Sequence, residues 1–339
     1  MYEQHFGLAE QPFGLTPNTS YFLNAQGYRE AFNLLQIALA NGEGFIKVVG
    51  EVGTGKTMLC RKLLNTLGAD YYTAYIPNPS LDPEALYRAV IDELDINAAS
   101  KQLQVDENDQ QDSESAEDIN SAALSFVDRV YNSDPEPPQN LHEAQKIINS
   151  KLVSLTAMGK KVVLVVDEAQ SMSVETLEAL RLISNLETES SKLVHIVLFG
   201  QPELDKLLAQ KNLRQLRQRI SFSCRLTAMS LEVTRSYVQH RVATAGYDRG
   251  TLFDDRAVKL LSRASRGIPR LINILCHKAL MSAYGRGDMQ IDKTHMRAAI
   301  KDTEGVEMPM PLLWLWRFSL FAVVNVTLLG LIAGNEVML

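Results

Sequence analysis

The sequence predicts an α/β fold on a parallel sheet, followed by an all-helical domain and closed by an apolar C-terminal helix. Three observations carry that expectation. Short apolar, β-branched runs alternate with helical patterns through the first two-thirds of the 339 residues. A glycine-rich turn, GEVGTGKT at Gly50–Thr57, stands between one such run and a helical pattern. After Leu226 the strand-like runs stop and amphipathic helices continue. Alternation of strand and helix is the signature of parallel sheets with helices on both faces.

The elements follow in order. Two aromatic-proline turns lead into a helix expected over Tyr28–Ala40. Strands are expected at Gly44–Val49, Tyr71–Ile76, Val162–Val166, Leu193–Phe199 and Ile220–Leu226, each a short apolar run bounded by polar residues. Helices are expected between them at Pro83–Leu94, Leu141–Met158 and Ser173–Leu186. Asp106–Asp118 holds seven acidic residues and no basic ones, too little apolar surface to order itself, and reads as a solvated insertion spanning about 97–120. NSDPEPP at Asn132–Pro138 reads as a second loop. Three or four further helices are expected, around Glu232–Ala245, Asp254–Ser265, Pro269–Tyr284 and Asp292–Lys301. The resulting division is an N-terminal segment 1–43, a core 44–226, a helical domain 227–305 and an apolar helix 312–334.

The totals narrow the function classes. A net charge of −6 argues against a wholly basic nucleic-acid wrapper, although basic residues outnumber acidic ones about three to one between Lys211 and Lys301. Cys60, Cys224 and Cys276 stand far apart and form neither a disulfide framework nor a zinc ligand set. The first residues, MYEQHFGLAEQPFG, lack the charged and apolar regions of a secretory signal. Phe318–Gly334, by contrast, carries no charge and would span about 25 Å as a helix, somewhat less than a ~30 Å hydrocarbon layer. Trp314, Trp316 and Arg317 suit an interface, and Arg297, Lys301 and Arg317 lie on one side only, so a membrane span would leave the larger part of the chain in the cytoplasm.

The chemistry concentrates at strand ends. Gly50, Glu51, Val52, Gly53, Thr54, Gly55, Lys56 and Thr57 match Gly-x-x-x-x-Gly-Lys-[Ser/Thr], the P-loop, with Met58 opening the helix. Inward N–H groups and the positive end of a helix dipole cradle phosphates there. Lys56 is placed for the β- and γ-phosphates of ATP, and the Thr57 hydroxyl for Mg²⁺. VVLVVDE at Val162–Glu168 is a buried strand tipped by two acids, Asp167 to support Mg²⁺ and Glu168 to polarise the attacking water. Gln201, just past the next strand, can lie between the two motifs and reach the γ-phosphate or the water. Arg217 and then Arg214, in NLRQLRQRISF, are candidates for presentation to a neighbouring subunit's nucleotide. Arg270, in RGIPR, opens a helix and could point back at the phosphates.

Taken together, GEVGTGKT, VVLVVDEAQ, the arginine-bearing segment and GIPR resemble the AAA+ ATPases over roughly Met1–Lys301. The opening HFGLAEQPFGLTPNTSYFLNAQGYREA, with FGQPEL and RGIPRLIN, is more narrowly similar to the ExeA/GspA-type secretion ATPases. GFIKVVGEVGTGKTMLCRKLLN and AYIPNPSLDPEAL most resemble the branch serving MSHA-type pilus biogenesis. The resemblance implies an AAA+ fold with a helical lid, ATP hydrolysis, homo-oligomers, and partners among pilus or secretion assembly proteins at the inner membrane. The acidic insertion departs from the compact family pattern. Two other readings stay open: a DNA-associated regulator, supported by the basic C-terminal domain, and a slow nucleotide-switched scaffold. The acidic total, the apolar tail and the lack of an aromatic-basic surface weigh against nucleic acid.

Overall fold

The computed structural model describes residues 1–95, 140–187 and 192–306. The expected acidic insertion at 97–120, the loop Asn132–Pro138 and the apolar helix at 312–334 lie outside these. Among the described residues, no helix is long and apolar enough to cross a membrane. The chain divides into two compact units: one of residues 16–227, the other of residues 1–15 with the chain from 228 onward.

The larger unit is built on five parallel strands: β1 (Phe45–Gly50), β2 (Tyr71–Ile76), β3 (Lys161–Val166), β4 (Val194–Gly200) and β5 (Ile220–Leu226). Their order is β2-β3-β4-β1-β5, and every adjacent pair is parallel. The central strands are buried on both faces, which is why they read as unbroken apolar runs instead of alternating ones. Among the described residues β5 pairs only with β1, and its residues alternate between half-buried and exposed, as an edge strand requires. β2 follows the glycine loop in sequence but lies at the opposite edge. The strand that separates β1 from β3 in space is β4.

Alternate residues of the sheet, among them Val162, Leu164, Val166, Ile196 and Leu198, share one cluster with Leu86, Tyr87, Leu177 and Leu180. Full burial of each such side chain is worth about 1.5–3 kcal/mol. Lys47 is the one charge inside β1, and its ammonium meets Asp205 at 2.5 Å. Asp205 also accepts from Arg225 of β5 at 2.8 Å, so one carboxylate ties β1 and β5 to the helix Pro202–Leu208. Several helices begin at side-chain caps: Asn140, Ser173, Ser230 and Asp254 each accept from the first turn of the helix they precede.

The smaller unit holds the helices Leu231–Thr244, Asp255–Ala264, Pro269–Arg286 and Lys293–Lys301, with Tyr2–Phe6 packed among them. Residues 1–15 fall in this unit and residues 16–43 in the larger one. Tyr2 and Phe6 are buried here, and Tyr2 shares a 2.9 Å hydrogen bond with His277. The buried Arg241 guanidinium donates to the carbonyl of Pro12 and to the Tyr237 hydroxyl, which donates in turn to Asn273. At Gly267 the backbone is left-handed, and a Cβ there would stand 2.1 Å from the Met229 carbonyl oxygen. Only glycine fits, and it lets the Gly267 carbonyl accept from Met229 N–H at 2.8 Å.

His195 is a buried imidazole in the central strand β4, its Nδ1 donating to the Glu43 carbonyl at 2.8 Å. Burial above all, together with the Lys161 charge, holds its pKa below the ordinary range despite that carbonyl. The unfolded chain therefore takes up this proton first. The stability from keeping His195 neutral is complete above about pH 6.5 and declines as pH falls below it. Thermal unfolding should show a melting temperature that drops between pH 7 and 5, with a smaller drop in His195→Gln; identical pH slopes in both proteins would contradict this.

Candidate active site

The carboxyl ends of β1, β3 and β4 converge because their register brings them level: Val49 pairs with Gly200, and Val166 with Leu198. From β1 the chain turns through Gly50–Gly55 into the helix Lys56–Thr66. Gly53 and Gly55 adopt left-handed φ of 77° and 89°. A Cβ on Gly50 would fall 2.7 Å from Thr54 Oγ1, so the loop needs glycine there as well. Thr54 Oγ1 donates back to the Glu51 carbonyl at 2.7 Å. Tyr28, from the helix Gln26–Ala40, donates its hydroxyl to the Thr54 carbonyl and lies against Gly55. The tip, Glu51 and Val52, is exposed, and Met58 is half-buried in the first helical turn.

Lys56 is buried, and its ammonium donates to the carbonyls of Gly50 at 2.9 Å and Glu51 at 3.1 Å. Burial lowers its pKa, opposed by the carboxylates of Glu168 and Asp167. Thr57 donates its hydroxyl to Asp167 Oδ2 at 2.8 Å, joining the loop to the tip of β3. Burial pushes the Asp167 carboxyl up, against hydrogen bonds from Thr57 and from the Glu168 N–H. No group of three or more His, Cys, Asp or Glu able to hold a metal exists among the described residues. The oxygens of Thr57 and Asp167 nevertheless fit Mg²⁺, which keeps several waters and takes one or two carboxylates with substrate phosphates.

Glu168 has φ 52°, a left-handed backbone rare for a residue with a side chain. It is held there by its N–H to Asp167 Oδ1 at 2.9 Å and by Ser171, which donates through N–H and Oγ to its carbonyl. Its side chain meets two amides: Gln201 Nε2 at 3.0 Å and Gln170 Nε2 at 2.5 Å, both on Oε2. Burial alone would raise the Glu168 pKa, but these amides and the Lys56 charge outweigh it and hold the carboxyl below its usual range. Gln201 therefore lies between the two motifs and reaches Glu168. Gln170 and Tyr28 complete the site; each lies within a run quoted above, Gln170 closing VVLVVDEAQ two residues beyond Glu168, but nothing in those runs assigns either a task.

The arginines are placed elsewhere. Arg214 and Arg217 are exposed on the helix Arg214–Arg219 that runs into β5, whereas Arg219 donates to Ser184. Arg270 belongs to the helical unit, exposed in the first turn of Pro269–Arg286, with Pro269 at a position where a missing N–H costs nothing.

A parallel sheet ordered β2-β3-β4-β1-β5, a glycine cradle after β1 and an acid pair after β3 define a P-loop ATPase of the AAA class. A family profile described as "AAA domain" matches residues 39–208, and the chain belongs to that family. It is 37% identical over 306 residues to general secretion pathway protein A of Aeromonas hydrophila, an alignment covering 90% of this chain and 49% of that protein. The chain thus spans about half the length of that curated relative. Among solved structures, Cdc6p of Pyrobaculum aerophilum superposes with a TM-score of 0.57 at 17% identity, over 86% of this chain and 72% of that one. The ORC2 protein of Aeropyrum pernix gives 0.55 at 14% identity, over 87% and 73%. At such identities these two likenesses speak for the fold alone.

A folded Lys56→Ala protein should lose most of its affinity for ATP, because a buried, charge-assisted phosphate contact disappears. Titration with a fluorescent nucleotide checks this, and unchanged affinity would place the phosphates elsewhere.

Proposed function

We propose that the protein binds ATP at Gly50–Met58 and hydrolyses it to support assembly of a type IV, MSHA-like pilus or a related secretion system at the inner membrane. The observation that carries the hydrolysis is the joined pair of strand tips: Thr57 meets Asp167 at 2.8 Å while the next residue, Glu168, is separately fixed by amides. In this reading the loop N–H groups and Lys56 bind and neutralise the β- and γ-phosphates. Thr57 and Asp167 hold Mg²⁺, whose charge offsets that of the bound phosphates. Glu168 accepts a hydrogen bond from the attacking water and aligns it, and Gln201 steadies that carboxylate beside the γ-phosphate. Leaving this carboxylate ionised near neutral pH suits a base.

Arg217 or Arg214, exposed and on one short helix, completes a neighbouring subunit's site in a homo-oligomer. The helical unit acts as a lid that brings Arg270 toward the phosphates. The secretion role is supported by the 37% identity to the Aeromonas protein, and the pilus role by the sequence resemblance. The apolar run 312–334 tethers the chain to the inner membrane, with the ATPase core in the cytoplasm.

Glu168→Gln should retain ATP binding and lose turnover by a hundredfold or more, the range for removal of a general base. Phosphate release under multiple turnover reads it, and wild-type rates would move the base elsewhere. Mixing Arg217→Ala with Lys56→Ala should recover some hydrolysis, since each subunit donates what the other lacks; no recovery in confirmed mixed oligomers argues against action between subunits. The tether predicts that the full chain fractionates with membranes and resists salt extraction, while a chain ending at Lys301 does not. Full-length protein that is monodisperse without detergent would exclude it.

A further inference from the structure

Gln170 is half-buried in the short turn Ala169–Ser171, immediately after the strained Glu168. Both ends of its amide are engaged. Nε2 donates to Glu168 Oε2 at 2.5 Å, and Oε1 accepts from the Gln201 N–H at 2.9 Å. The partners dictate which end faces which, since a carboxylate only accepts and a backbone N–H only donates. Gly200 makes the approach feasible: a Cβ there would lie 3.3 Å from Gln170 Oε1 and 2.7 Å from Leu204 Cδ2. The Gln201 side chain then donates to the same Glu168 oxygen at 3.0 Å. The result is a closed circuit of three residues linking the tips of β3 and β4.

All side-chain hydrogen bonds recorded to the Glu168 carboxylate among the described residues fall on Oε2. Two fixed donors on one oxygen set the plane of the group and leave Oε1 open for water. Neither amide can be replaced by solvent without freeing the carboxylate to rotate. A misplacement of about 1 Å at a reacting group costs on the order of a hundredfold in rate.

We propose that Gln170 is a positioning residue for hydrolysis: its amide couples the β4 tip to the Glu168 carboxylate and fixes which carboxylate oxygen faces the attacking water. The inference rests on the reading of Glu168 as the water-polarising base.

Two substitutions separate its two arms in the full-length protein. Gln170→Met removes both contacts at similar length. Gln170→Glu keeps an acceptor for the Gln201 N–H but sets a second carboxylate against Glu168. Both should melt near wild type and bind a fluorescent ATP analogue within about threefold of its Kd. We expect kcat to fall roughly tenfold or more in Gln170→Met and at least as far in Gln170→Glu, with KM little changed. A purely scaffolding role for the β4 tip predicts instead that Gln170→Glu works like wild type, and that result overturns the proposal. So does a loss of ATP affinity matching the loss of kcat, or faster turnover in Gln170→Met. Glu168→Gln run alongside distinguishes the two levels: wild-type turnover in that variant refutes the base itself, whereas an inactive Glu168→Gln with a fully active Gln170→Glu refutes only the positioning role.

Discussion

Parallel pairing wedges β4 between β1 and β3, with Val49 opposite Gly200 and Val166 opposite Leu198, and the site hangs on that register. Strands rise about 3.3 Å per residue and alternate faces, so a slip of one residue would carry Gln201 out of reach of Glu168 and reverse every buried side chain of β4. Close packing on both faces of β4, and the bond from buried His195 to the Glu43 carbonyl, oppose such a slip. Lys47, the polar exception in β1, is accommodated because Asp205 meets it from the following helix, and the same carboxylate reaches Arg225 at the sheet edge. Core packing and site geometry are thus one constraint: the residues that cannot move for hydrophobic reasons are those that carry the tips.

Charge is distributed across those tips unequally. Asp167 and Glu168 adjoin in sequence, yet burial raises one pKa while amide donors and Lys56 lower the other. Divergent environments around neighbouring acids are how a site assigns them different tasks. The left-handed Glu168 backbone costs on the order of 1 kcal/mol and persists because Asp167 and Ser171 over-determine it. Strain stored at the one residue expected to meet water is consistent with its proposed role.

The helical unit shows a different economy. Four modest helices and the first fifteen residues share one core, in which Arg241 serves as an internal fastener. Its guanidinium lies against the rings of Phe13 and Tyr237 as well as bonding the Pro12 carbonyl, so a buried charge is satisfied on its face and its edges. The chain consequently passes between the two units twice, near residues 15 and 227.

The strands were legible because parallel strands buried on both faces read as short β-branched runs, and all five appear within about a residue of their expected bounds. The glycine loop was legible for a local reason also: left-handed turns at Gly53 and Gly55 and the tight approach at Gly50 admit nothing larger. Asp167 and Glu168 were marked by their place at the end of an apolar run. Tertiary structure alone decided the rest. Gln170 contacts a residue thirty-one positions away, Tyr28 supports a loop carbonyl twenty-six positions on, and Tyr2 bonds His277 across nearly the whole chain. No periodicity encodes such pairs. A glutamine in a turn or an arginine in a helix looks solvated until packing determines which carboxylate, carbonyl or ring lies against it, and that depends on how the elements meet and not on how each one forms.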